Sequence, residues 1–133
     1  MKVYWAFLHT ILPAALLSSS VMAQPNAVGW KGVPEGIRIG CDELSQVKAI
    51  VEAGRTSLEA WGLKFKEFHD QTDSLGEPSC MVGPIEAEVT YTYEEDLGTV
   101  TWGNKVEHIW AVEAVVGKTD FFIIYEEVEG SEI

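Results

Sequence analysis

The stretch CDELSQVKAIVEAGRTSLEAWGLKFKEFHDQTDSLGEPSC, residues 41–80, decides how the chain is read, because it joins the only two cysteines across the most helix-like part of the sequence. Leu44, Val47, Ile50 and Val51 recur at helical spacing behind Asp42, which stands where an N-cap belongs, and Glu43 adds an acid where the helix dipole favours it. Gly54 and Arg55 interrupt the pattern. Thr56 and Glu59 then match a capping box, and Leu58, Trp61, Phe65 and Phe68 resume the apolar stripe. The spacing predicts helices over Asp42–Ala53 and Ser57–His69, separate or fused into one bent helix.

Two cysteines in an exported chain of this size predict a disulfide, Cys41 to Cys80. A reactive thiol finds no support: there is no C-x-x-C, and no histidine or basic residue adjoins either cysteine to lower its pKa. Export is expected from the other end of the chain. Met1–Ala23 holds Lys2, an apolar run from Val3 to Leu17 broken by His9, Thr10 and Pro13, then three serines and Val21-Met22-Ala23, the pattern of a secretory signal peptide. A spanning helix wants about 20 apolar residues, and this run is shorter and carries a proline. Cleavage would leave a chain starting at Gln24, secreted or periplasmic.

The 133 residues suit one modest domain, expected over residues 37–127. Of the 9 basic residues the leader removes Lys2, leaving 8 against 21 acids, a charge of −13. Such a chain is repelled by nucleic-acid phosphates and anionic lipid, so nucleic-acid binding is excluded. The acidity serves solubility first and, more sharply, steers encounters with a basic partner or a cation.

Residues 24–36 read as an irregular lead-in whose one large side chain is Trp30, and Ile37-Arg38-Ile39 alternates as a short strand. His69–Ser79 is a polar, turn-rich loop. It fails as an EF-hand because counting from Asp70 puts Leu75 where the glycine belongs. From Ile85 the period changes to two: Ile85, Ala87, Val89, Tyr91 and Tyr93 alternate with Glu86, Glu88, Thr90 and Thr92. Residues 94–98 read as a turn, 99–102 as a short strand, 103–104 as a reversal, 106–116 as a long central strand and 121–126 as its hairpin partner. Residues 128–133 read as an acidic tail. The expected architecture is α+β, with one or two helices on a four-stranded antiparallel meander that is free to curl toward a small open barrel.

No nucleophile motif, phosphate loop or metal-ligand array occurs, so neither catalysis nor a cofactor is expected and no family is indicated. Curling of the sheet would gather Glu86, Glu88, Glu126 and Glu127 into a cation-attracting cluster, although acids on a wet strand face are ordinary. His108 as a base would need Ser79 or Thr101 within reach, and the spacing does not supply that. The expected role is binding another macromolecule, a basic exported protein for instance, in the manner of an inhibitor or accessory factor, with Trp30, Trp61, Phe65, Trp102, His108 and Trp110 as candidate contacts. Two other readings stay open. One is a ligand carrier or enzyme with a pocket between helix and sheet lined by Trp61, Phe65, Trp102 and Trp110. The other is a self-associating envelope component.

Overall fold

A computed structural model describes residues 28–129. The leader expected at Met1–Ala23, the start of the lead-in and the last four residues of the tail lie outside them. The described chain runs β1 (Lys31–Gly32), β2 (Ile37–Cys41), α1 (Leu44–Gly54), α2 (Leu58–Asp70), β3 (Cys80–Pro84), β4 (Val89–Trp102), β5 (Lys105–Val116) and β6 (Thr119–Glu129). The fold is α+β, and every strand pairing is antiparallel in a sheet of order β1-β4-β5-β6-β2-β3 that curls into a half-barrel.

The two helices are separate and start slightly later than their spacing predicts. Glu43 rather than Asp42 caps α1, with the Glu43 N–H donating to Gln46 Oε1 at 3.0 Å. Ser57 rather than Thr56 caps α2, its Oγ accepting the Ala60 N–H at 3.0 Å. Between them Gly54 lets two indoles close in. Trp102 Nε1 donates to the Gly54 carbonyl at 2.8 Å, and a Cβ at residue 54 would overlap the Trp61 ring.

Cys41 and Cys80 are bonded, with sulfurs 2.08 Å and Cα atoms 4.0 Å apart. They face each other directly in β2 and β3. The bridge therefore joins the two adjacent strands from which the helical hairpin departs and to which it returns.

The sheet departs from a four-stranded meander in three ways. First, β4, β5 and β6 form a meander, but β2 adds to the edge of β6 and β3 to the edge of β2, while Lys31–Gly32 of the lead-in pairs with β4. Second, residues 94–98 do not turn the chain. Glu94, Glu95 and Asp96 pair with Val112, Ala111 and Trp110, so the alternating strand expected from Ile85 to Tyr93 and the short one expected at 99–102 run together as one long strand, with irregularities between Tyr91 and Tyr93 and between Asp96 and Thr99. Gly98, at φ +86°, sits in the second of these, where β4 carries one residue more than β5, and accommodates it as a bulge. The first reverses the alternation, leaving Tyr93 exposed while Tyr91 is buried. Ile85 is buried as expected but lies with Glu86–Glu88 in the β3–β4 connection. Third, Val128 and Glu129, assigned to the tail, belong to β6 and pair with Glu107 and Val106.

Apolar side chains pack on both faces, which is why both sides of β5 look hydrophobic. On one face Val47, Ile50, Val51 and Trp61 of the helices pack with Val100, Ile109, Ala111, Ile124 and the disulfide. On the far face Ile85, Val89, Tyr91, Val112, Ala114, Phe121, Ile123 and Tyr125 form a second core, flanked by Trp30 and Trp110.

Candidate functional site

The expected pocket between helix and sheet is filled. Trp61 meets Trp102 edge-on with ring centroids 5.1 Å apart, Phe65 packs on the same core, and Trp61 keeps only 7% of its surface. Trp110, His108 and Trp30 stand on the opposite side of the sheet, so the four aromatics assigned to one cavity are divided between two faces. Ser79 is buried just before β3, at the edge of the sheet, and Thr101 pairs with Val106, one row from the Thr99–His108 pair.

The far face carries a polar and aromatic band set by strand register. Asp96, Trp110 and Tyr125 face one another across β4, β5 and β6, and Thr99, His108 and Glu127 form the next row. The bulge at Gly98 makes the first row chemically distinct. Asp96 Oδ1 accepts the Gly98 N–H at 2.8 Å and lies 2.6 Å from His108 Nε2. A carboxylate only accepts, so Nε2 is the donor. These contacts, the Gly98 amide first and His108 second, hold the Asp96 carboxyl below its ordinary range. The His108 ring stacks on Trp110 at 4.1 Å with 13° between planes, and Trp110 meets Tyr125 edge-on at 6.0 Å. The Arg38 guanidinium from β2 covers the Tyr125 ring at 4.6 Å, a cation–π contact. At the other end Trp30 lies 4.8 Å from Tyr91, whose hydroxyl is pushed up to about 12, chiefly by burial.

Glu94 faces Val112, two residues before Asp96 and on the same side of β4. Its Oε1 is buried and has no hydrogen-bond partner among the described residues. Burial first, and then the Asp96 charge, push its carboxyl above the usual range. The band thus holds one carboxyl that resists ionisation beside one that favours it.

The four acids expected to cluster, Glu86, Glu88, Glu126 and Glu127, do not share one face. Glu86 and Glu88 are exposed in the β3–β4 connection, while Glu126 and Glu127, being consecutive on β6, point to opposite faces. Among the described residues no group of three or more His, Cys, Asp or Glu could hold a metal. Glu126 lies on the helix face near Glu107, which is 6% exposed and whose Oε1 also lacks a partner among the described residues. Desolvation and the Glu107 charge push the Glu126 carboxyl up, opposed by Arg38 and Lys105.

Of the six aromatic and histidine candidates, the structure brings only His108 and Trp110 into contact on the far face. Glu94, Asp96, Arg38 and Tyr125 were missed. The signal that could have found them is the two-residue spacing of Glu94 and Asp96, readable only once 94–98 is taken as strand. The band offers carboxylate acceptors beside aromatic rings, groups that attract hydrogen-bond donors and cations. Comparison with protein-family models, with curated proteins and with solved structures finds no match to this chain.

Proposed function

We propose that this chain is an exported binding module that engages a basic protein through the far face of its sheet. The observation that carries the reading is the band itself. With both described helices on the other face, the stacked His108–Trp110 pair lies half-buried among Glu94, Asp96 and Glu127, on a chain of net charge −12. Aromatic rings supply contact area at small entropic cost, and carboxylates around them set charge preference and hasten encounter with a positive surface. The disulfide agrees with an oxidising compartment, and no described helix is long and apolar enough to cross a membrane.

The test is titration with hexa-arginine, hexa-lysine and hexa-glutamate peptides followed by tryptophan fluorescence and calorimetry at low and high salt. Binding of the basic peptides alone, weakening as salt rises, supports the reading. Equal binding of the acidic peptide, or no binding of either basic one at low salt, refutes it.

A further inference from the structure

The two sides of β4 are unequally covered. β5 pairs with it from Thr90 to Trp102, whereas β1, the outermost strand on the other side, reaches only Val89 and Thr90. Tyr91 closes that contact, its carbonyl accepting the Gly29 N–H at 2.8 Å and its N–H donating to the Trp30 carbonyl at 2.9 Å. Further along, the Arg55 guanidinium donates to the carbonyls of Leu97 at 2.6 Å and Thr99 at 3.0 Å. Between these two closures Thr92–Asp96 has no strand partner on its outer side among the described residues. Five residues of strand span about 17 Å.

Strand register says which backbone groups are left over. Val116 and Thr119 flank a two-residue turn, so even-numbered residues of β5 exchange hydrogen bonds with β6 and odd-numbered ones with β4. Glu113 and Ala111 therefore bond toward Tyr93 and Glu95, and the N–H and C=O of Glu94 and Asp96 point outward. An open strand edge is a template for another strand, and local charge decides which. Lys48 pairs with Glu95 at 3.0 Å, which leaves Glu94 and the exposed Asp96 unmatched by any lysine or arginine among the described residues. A second copy's β4 laid here would set acid against acid, whereas a basic strand would meet opposite charge.

We propose that Thr92–Asp96 is a docking edge on which an extended basic segment of the partner adds to β4 as an antiparallel strand. This deepens the proposed function and rests on it. Main-chain bonds to Glu94 and Asp96 hold the segment, and its alternate side chains set the preference. The residues opposite Glu94 and Asp96 fall on the far face and are cationic. The residue between them falls on the helix face opposite Glu95, which Lys48 and the Tyr93 hydroxyl at 2.9 Å already engage, so it is uncharged.

The experiment titrates the full chain at low salt with three acetylated, amidated peptides, followed by amide-proton NMR. They are Thr-Arg-Val-Arg-Thr, the same peptide with both arginine backbone nitrogens methylated, and the same peptide with the valine nitrogen methylated. In the docked strand the arginine nitrogens donate to β4, while the valine nitrogen points away. Methylating the arginine nitrogens should weaken binding about tenfold, as loss of two hydrogen bonds does, and methylating the valine nitrogen less than about threefold. Amide exchange at Glu94 and Asp96 should be fast in the free chain and slow about tenfold with saturating parent peptide. Equal binding of all three peptides, or no binding of the parent where hexa-arginine binds, overturns the docking edge and leaves charge-driven binding of basic partners standing. Protection of Glu94 and Asp96 in the free chain also overturns it, because the protein's own residues then hold that edge. If neither the parent peptide nor hexa-arginine binds, the proposed function falls with it.

Discussion

Reducing the Cys41–Cys80 bridge should remove about 4 kcal/mol of stability. The cysteines are 39 residues apart, and closing a loop of that length in the unfolded chain costs entropy that the oxidised protein has already lost. The bridge acts on the unfolded chain, because Cys41 and Cys80, 1% and 0% exposed, are already held face to face in directly paired strands of the folded one. Against a total of roughly 5–15 kcal/mol for a small domain, this is a large share. With a urea dependence of about 2 kcal/mol per molar, the unfolding midpoint should fall by roughly 2 M. Equilibrium unfolding of one sample, oxidised and then reduced, measures it without introducing a cavity or a hydroxyl. The enclosed segment is the helical hairpin, so hydrogen exchange in the reduced protein should speed up first in α1 and α2 and last in the central strand β5. A loss below about 1 kcal/mol, or exchange that rises first in β5, would refute the argument that the bridge acts by constraining this hairpin.

Three further perturbations test other joints of the fold. Gly54→Ala places a methyl group into the Trp61 ring and within 3.2 Å of Trp102, and should cost at least about 2 kcal/mol in chemical denaturation. Arg55 donates to the carbonyls of Thr99 at 3.0 Å and Leu97 at 2.6 Å, tying the helix junction to the β4 bulge; Arg55→Ala should cost about 1–2 kcal/mol, discounted for its exposure. Glu126 is raised by desolvation and by Glu107, so its contribution favours folding below the unfolded pKa and is lost as pH rises through the folded one. Glu126→Gln should therefore melt slightly above wild type near neutral pH, the gain being small because residue 126 is exposed, and converge with it below about pH 4, as differential scanning fluorimetry across pH would read.

The periodicities of the chain determined the element types and much of their placement. Val47, Ile50 and Val51 lie one turn apart and are buried together, and apolar residues on both sides of β5 correctly marked it as central. The disulfide was equally legible, because two cysteines allow one pairing. What local pattern could not carry was strand partnership. Glu94, Glu95 and Asp96 look like a turn, since three acids in a row favour solvent, yet β5 is twelve residues long and offers them backbone partners that a turn would leave unpaired. The same pairing, slipped by the Gly98 bulge, is what sets Asp96 against His108 and leaves Glu94 beside Trp110. Likewise Trp61 and Trp110 are equally aromatic in the sequence, and only the tertiary structure decided that one closes the helix core while the other borders the candidate site. A two-residue repeat tells which side chains share a face, but which face the helices cover is decided by how β2, β3 and β6 come together around the disulfide.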